Sequence, residues 1–286
     1  MKFDLEAIKK QCGLDQTPIF KNQLSGGDIN EVFLIDVNGQ KWVVKKNESD
    51  RFPKMLEQES RALNYMAENT TAFYSKPIKT FTEGKYQYLL LEYVQKAENT
   101  SIGQQNLGIE LAKQHKVSNN EFGWKEDNYI GSLHQSNKYK ETWAEFYAVQ
   151  RILAQIRTAF DQGIVDNSFI KKTERYCAKL EEIFPKEKPS LLHGDLWGGN
   201  YFIADNNIPF LYDPAVYFGH REMDISMTML FGGFTNEFYK AYDQAYALEK
   251  GWEWRVPHGQ LYPNLVHLNL FGRAYLGAVS NVIDKF

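Results

Sequence analysis

From Leu191 to Asp213 the chain reads LLHGDLWGGNYFIADNNIPFLYD. Two short runs rich in aromatic and branched residues, NYFIA and IPFLYD, flank the turn residues Asp205 to Asn207 and predict a β-hairpin. Ahead of it, an apolar pair enters a loop carrying Gly194, Gly198 and Gly199. Glycine costs backbone entropy, so three in one short loop mark a conformation that other residues resist. A hairpin that leaves this loop and returns to the same end brings Asp195 and Asn200 close to Asp213. A fold that forms this hairpin can therefore hold two carboxylates and an amide together at one end of it, where none of them helps a core.

The surroundings of that hairpin divide into two kinds of sequence. FDLEAIKKQC has helical spacing at Phe3, Leu5 and Ile8. Asn38-Gly39 then separates two runs of β-branched and aromatic residues, which predicts a hairpin with strands near 31–37 and 40–46. MLEQESRALNYMAEN has the period of a helix, and KPIKTFTEGKYQYLLLEYV gives two more strands around Glu83-Gly84. After about residue 96 the pattern becomes helical, in NLGIELAKQHKVS, in ETWAEFYAVQRILAQIRTAFDQG and in SFIKKTERYCAKLEEIF. The expected fold class is α+β: a small antiparallel-sheet lobe over 1–95 and a larger, mostly helical lobe over 96–286, joined near Val94 to Asn99.

With 43% apolar residues the chain can bury a core, and 15% aromatic residues argue against disorder. A net charge of −3 gives no nucleic-acid footprint. Cys12 and Cys177 provide no disulfide framework, and no Cys/His spacing suggests zinc. No apolar run approaches the length of a membrane span, and the charged start MKFDLEAIKK is not a secretory signal. A cytoplasmic protein without nucleic-acid or membrane partners is expected. Its oligomeric state is not legible.

Two carboxylates and an amide at one point suit phosphoryl transfer to a hydroxyl. One carboxylate must sit beside the attacking oxygen, and oxygen ligands must hold Mg²⁺ on the phosphates. Asp195 and Asn200 have the Asp-x₄-Asn spacing of a kinase catalytic loop. Alone, an Asp and an Asn so placed also cap turns, and the second Asp after a strand is what favours the catalytic reading. Upstream, LSGGDINEVFLI is a glycine-containing turn between strands, read either as an ordinary hairpin turn or as a phosphate-contacting one. Lys45 and Lys46 are adjacent on a strand, so only one can face a cleft. Glu57 and Glu59 on the following helix are candidate ion-pair partners. LLLEYV is a buried strand whose backbone could meet an adenine.

LLHGDLWGGN followed by LYDPAVYFGHREMDISMTMLFGGF closely resembles the fructosamine kinase, or ketosamine-3-kinase, family. That family belongs with the aminoglycoside phosphotransferase-like, protein-kinase-like enzymes. The likeness extends to FGWKEDNYIGSLHQSN, WAEFYAVQRI, VVKKN and MLEQESRAL, and covers essentially the whole chain. It implies a two-lobed kinase fold and an ATP- and Mg²⁺-dependent kinase that phosphorylates a hydroxyl of a ketosamine, free or on a glycated protein lysine, and so serves deglycation. It implies Asp195 as the catalytic residue and Asn200 and Asp213 as metal ligands. It implies Lys45 as the phosphate-contacting lysine with Glu59 as its partner, Gly26 and Gly27 in the phosphate loop, and Glu92, Tyr93 and Val94 as the adenine hinge. The chain departs from protein kinases in Pro214-Ala215 after the metal aspartate and in lacking a long activation segment. His134 stands where the family resemblance leads us to expect a less basic residue.

The resemblance places Asp127, Asn128 and Gln135, on a polar loop between helices, near the acceptor sugar, although a structural loop is an equal reading. Trp197 suits stacking on a sugar ring or a place in the core. His193 reads as an organiser of the backbone. Arg221, Glu222 and Asp224 read as a buried ion-pair network. Asp127, Asp195 and Glu222 are the carboxylates expected to attract an acceptor's protonated amine. Two other functions fit the same residues: a phosphotransferase acting on an aminoglycoside or another small hydroxylated amine, and a pseudokinase that binds nucleotide without turnover. The presence of Asp195, Asn200, Asp213 and Lys45 together argues against the last.

Overall fold

A computed structural model describes residues 4–24 and 29–286. The chain begins with α1 (Leu5–Cys12), β1 (Ile19–Leu24), β2 (Glu31–Val37) and β3 (Gln40–Glu48), followed by α2 (Met55–Asn69), β4 (Phe73–Tyr74), β5 (Pro77–Glu83) and β6 (Tyr86–Glu92). The five longer strands form an antiparallel sheet in the order β1-β2-β3-β6-β5. Asn38 and Gly39 join β2 to β3 with φ of 53° and 86°, the left-handed pair that a tight hairpin needs. Side chains alternate across this sheet. Leu89 and Leu91 join Leu56, Leu63 and Met66 of α2, while Tyr88 and Leu90 join Ile8 of α1 on the other face.

The remaining chain is mainly helical. It runs through α3 (Ser101–His115), β7 (Asn128–Ile130), β8 (Leu133–Gln135), α4 (Trp143–Phe146), α5 (Leu153–Asp161), α6 (Asn167–Cys177) and α7 (Leu180–Ile183). Then come β9 (Ser190–Leu192), β10 (Tyr201–Ala204), β11 (Ile208–Leu211) and β12 (Tyr217–Gly219), and finally α8 (Glu222–Thr228), α9 (Asn236–Ala245), α10 (Trp252–Gly259), α11 (Leu261–Phe271) and α12 (Leu276–Ile283). The core of this lobe is continuous with the α2 face of the sheet. β4 pairs in parallel with β11, so a strand from the sheet half of the chain extends the β10–β11 hairpin. The expected α+β, two-lobed architecture is the one observed, and no helix among the described residues is long and apolar enough to cross a membrane.

Three local readings are corrected. Residues 128–135 are not a loop between helices but the β7–β8 hairpin, too short for its alternation to register. The long helix expected across 141–163 contains a π-helical stretch, Tyr147–Ile152. It turns Arg151 inward, with the guanidinium over the rings of Phe146 and Tyr217 at 4.6 and 4.2 Å. The helix expected across 168–184 breaks between α6 and α7. β9 and β12 pair Leu192 with Tyr217 and Leu191 with Phe218, clamping the glycine loop to the segment after Asp213.

Candidate active site

Two loops meet at the mouth of the β10–β11 hairpin. The first runs from β9 to β10 and carries Asp195 and Asn200. The second runs from β11 to β12 and carries Asp213. Ala215 N–H donates to the His193 carbonyl at 2.9 Å, and Tyr212 N–H to the Asn200 carbonyl at 3.1 Å, which fixes one loop against the other. The contact is close: a Cβ on Gly194, whose φ is +82°, would lie 2.1 Å from the Ala215 carbonyl oxygen. Gly194 therefore supplies both the left-handed conformation and the close approach.

Asp224, near the start of α8, anchors the first loop from beneath. It accepts the backbone N–H groups of His193 at 2.7 Å and Gly194 at 2.9 Å, and faces His115 Nε2 at 3.1 Å. Burial opposes its charge, but the hydrogen bond and charge of His115 and the Gly194 N–H keep its carboxyl below the usual range. His193 is buried, with Nε2 donating to the Tyr212 carbonyl at 3.0 Å. Its Nδ1 accepts the Asp195 N–H at 3.3 Å, the backbone-organising role expected from its position. Burial holds its imidazole below the ordinary value.

Asn200 donates its side-chain amide to the Asp195 carbonyl and carboxylate, and its own Oδ1 accepts no hydrogen bond from the described residues. Removal of water around Asp195 and the neighbouring charge of Asp213 push the Asp195 carboxyl up to about 7. Asp213 has a φ of +54°, unusual for a residue with a side chain and a form of strain concentrated at functional sites.

The sheet brings the cation. Lys45 on β3 reaches Glu59 Oε1 of α2 at 2.5 Å and also bonds Asp213 Oδ1. Burial works against the Lys45 charge, but Asp213 and Glu59 outweigh it and hold the ammonium above its usual value. Lys46 points to the other face, where it meets Glu31 at 2.9 Å and the Tyr86 ring at 4.0 Å. Glu57 pairs within its helix with Arg61 at 3.6 Å. The α2 helix and the turn before it are also tied to the large lobe, by Arg61 to Glu126 at 2.6 Å and by Tyr129 OH to the Pro53 carbonyl at 3.2 Å.

Lys45, Glu59, Asp195, Asn200 and Asp213 line one cavity of about 590 Å³. Gly26 and Gly27 lie outside the described residues. Glu92 ends β6 and Tyr93 and Val94 follow it, but none of the three lines the cavity. Glu92 N–H donates to the Lys76 carbonyl and Tyr93 N–H to the Lys41 carbonyl, while the Val94 N–H bonds to none of the described residues.

Of the residues expected near an acceptor, Trp197 and Asn128 line the cavity. Trp197 is 39% exposed. Asn128 is buried in an amide network: its Nδ2 donates to the Val216 carbonyl at 3.0 Å, and its Oδ1 accepts from Gln135 and Asn137, each at 2.8 Å. Gln135 accepts from Tyr262 OH at 2.7 Å, and Arg151 donates to Asn137 at 2.7 Å. Tyr262 gave no sequence signal, because its partner Gln135 is remote in the chain, and Asn137 and Arg151 gave none because their contacts depend on how the segment folds back on itself. Asp127 accepts the Asn137 N–H at 2.8 Å and faces His134 at 3.3 Å. Glu222 does not reach the cavity. It is buried against Arg255 at 2.6 Å, which corrects its expected role in attracting an amine. Arg221 pairs with Glu187 at 2.8 Å and Asp224 with His115, so the three residues expected to form one network are buried in pairs with partners outside the set.

Comparison with known proteins shows the family to which the chain belongs. The fructosamine kinase family profile matches residues 4–286. A probable ketoamine kinase from Enterococcus faecium is 35% identical over 269 residues, covering 91% of this chain and 93% of that protein. The crystal structure of a putative fructosamine-3-kinase from Haemophilus somnus superposes with a TM-score of 0.86 at 27% identity, covering 98% of this chain and 95% of the other. A thermostable mutant aminoglycoside phosphotransferase, solved with ADP and hygromycin B, shares the fold at a TM-score of 0.64 and 15% identity, covering 99% and 98% of the two chains.

Proposed function

The chain belongs to the fructosamine kinase family and is a kinase, and from that premise we propose that it uses MgATP to phosphorylate a sugar hydroxyl of ketosamines such as fructosamines or ribulosamines. The observation that carries this reading is the convergence of Asp195, Asn200, Asp213 and the Lys45–Glu59 pair on one cavity. A pseudokinase has no need of the full set.

Each residue has a part. Asp195 orients the acceptor hydroxyl and takes its proton late, as the oxygen bonds to the transferring phosphorus and the bond to ADP breaks. Lys45, held by Glu59, fixes the phosphates. The donor set fits Mg²⁺: the Asn200 Oδ1 accepts no hydrogen bond from the described residues, and Asp213 adds a carboxylate. Two hard oxygens, completed by phosphate and water, suit an ion that is rarely caged by protein alone. The chemistry such an ion supplies is neutralisation of phosphate charge. We place the adenine against Glu92 to Val94, where the Val94 N–H is available as a donor, and the phosphate turn at Gly26-Gly27. The nucleotide half then corresponds to 1–95 and the acceptor half to 96–286. Asp127, Asn128 and Gln135 support the acceptor wall rather than contact the sugar. Phosphorylation makes the adduct labile, so the activity serves deglycation of metabolites or protein lysines in the cytoplasm.

The test is phosphorylation by the purified protein of fructosyl-lysine, ribulosyl-lysine, fructose and an aminoglycoside. A ketosamine should exceed fructose in kcat/KM by roughly ten-fold, the worth of attracting the protonated amine to aromatic ring faces in the cavity wall. A ratio near one leaves a general sugar kinase, and turnover of the aminoglycoside alone replaces the ketosamine reading.

A further inference from the structure

Apart from the loops that carry Asp195, Asn200 and Asp213 and the β7–β8 hairpin, the large lobe lines the cavity with a mainly aromatic and aliphatic shelf that includes Trp197, Met227, Phe231, His267, Leu270 and Phe271. The rings make one connected surface. Trp197 meets Phe231 nearly edge-on with centroids 6.2 Å apart, Phe231 meets His267 at 5.1 Å, and His267 lies over Phe271 at 5.4 Å. His267 donates Nδ1–H to the Pro263 carbonyl at 2.7 Å, and burial keeps its imidazole below the ordinary value, so it brings no charge. Phe231 and Phe271 are nevertheless 46% and 55% exposed. Large aromatics left open in the wall of a cavity mark a binding surface.

Charge is absent from this shelf. Glu59, Asp195 and Asp213 are the carboxylates lining the cavity among the described residues, and Lys45 and Arg51 its cationic side chains. Glu59 and Asp213 are paired with Lys45, and Arg51 lies against the Phe52 ring at 5.0 Å in the small lobe. Neither the missing carboxylate nor the exposed rings were legible in sequence, where aromatics at helical spacing read as core.

We infer that Phe231, His267 and Phe271 form a subsite for the group carried on the ketosamine nitrogen, and that it selects an uncharged apolar or aromatic group. This rests on the ketosamine kinase reading. The nitrogen is only a few bonds from the sugar hydroxyls. A hydroxyl placed at Asp195 therefore leaves the nitrogen near Trp197 and its substituent over the next rings. The protonated nitrogen is attracted to ring faces, and an apolar substituent covers exposed aromatic surface. A carboxylate on the substituent loses water and finds no cation on the shelf. A polycationic aminoglycoside lacks carboxylates there for its extra ammonium groups.

The experiment holds the sugar constant and varies the amine: N-benzyl, N-butyl and N-carboxymethyl fructosamines, with an aminoglycoside alongside. kcat/KM should follow the order benzyl, butyl, carboxymethyl, with about ten-fold between the ends, the scale of an aromatic contact. Titration calorimetry of the benzyl compound without ATP should show the same preference in binding. In Phe231→Ala combined with Phe271→Ala the spread should shrink to less than about three-fold through KM, while the KM for ATP stays unchanged. All three ketosamines turned over equally, or the carboxymethyl compound preferred, overturns the subsite and leaves the kinase reading intact. No turnover of any ketosamine, with the aminoglycoside phosphorylated, overturns both.

Discussion

Asn200 donates its side-chain amide to Asp195 twice, to the backbone carbonyl at 2.8 Å and to Oδ2 at 3.0 Å. One residue thus closes the glycine loop and sets the rotamer of the carboxylate proposed as base. The Asp-x₄-Asn spacing has this local meaning: it returns the second residue to the first. The same contact commits the NH₂ side of Asn200 and leaves its oxygen for a cation.

Asp195→Asn keeps the shape and the hydrogen bond from Asn200 but removes the proton acceptor. Turnover should fall by at least about 10², the scale of a positioned general base, while ATP still binds. Near-normal steady-state turnover would remove Asp195 from the mechanism.

The same substitution should alter stability in the opposite direction. In the folded, metal-free protein the Asp195 carboxyl is pushed up to about 7, against about 3.9 in an unfolded chain. The folded state then retains a proton that the unfolded state releases, so this group's contribution to stability is lost as pH rises through about 7. Metal-free Asp195→Asn should melt at a higher temperature than the wild type at pH 8, with the advantage shrinking toward pH 5. A lower melting temperature for the variant at pH 8 would contradict the electrostatic account.

The adjacent lysines should separate cleanly. Lys45 is shared between Glu59 and Asp213, whereas Lys46 is held by Glu31 and the Tyr86 ring on the other face. Lys45→Ala should lower kcat/KM for ATP by about 10² or more, as expected when an electrostatic contact to the transferring group is lost. Lys46→Ala should lower the melting temperature and leave activity within a few-fold. Equal losses of activity would show that the two faces do not differ in function.

Asp213→Ala should weaken binding of MgATP far more than binding of ATP in the presence of a chelator, because a hard cation needs its oxygen ligand. Paired calorimetric titrations measure the difference, and identical losses under both conditions would count against a metal role.

Asp224 should matter without touching a substrate. Asp224→Ala leaves the N–H groups of His193 and Gly194 and the ring of His115 without their acceptor. Removing one partner of a buried charged network typically costs about 3–5 kcal/mol. Denaturant unfolding should register that loss, and kcat should fall with KM for ATP little changed. An unchanged midpoint would show that the loop is held by other means.

The local code was sufficient for much of this protein. Asn38-Gly39 requires left-handed backbone that only a few residues adopt, so the β2–β3 hairpin could be read directly. The periodicity of 55–69 and the turn at Asp205 to Asn207 likewise act over a few residues. The long match from Leu191 through Phe234 identified the family because its glycines, histidine and acids occupy positions fixed by backbone contact. Other features were decided only when distant segments met. Strand alternation put Lys45 and Lys46 on opposite faces, but only the packing of α2 and Asp213 decided which face is the cleft. β9 and β12 are three residues each and exist because they pair with each other. Asn128 and Gln135 read as a polar loop because two of their partners, Val216 and Tyr262, lie elsewhere in the chain. Glu222 looked available for an amine until Arg255, thirty-three residues on, neutralised it. The aromatic shelf shows the limit most plainly. A phenylalanine carries the same letter whether buried or open, and only the tertiary packing left Phe231 and Phe271 uncovered in the wall of the cavity that Asp195 also lines.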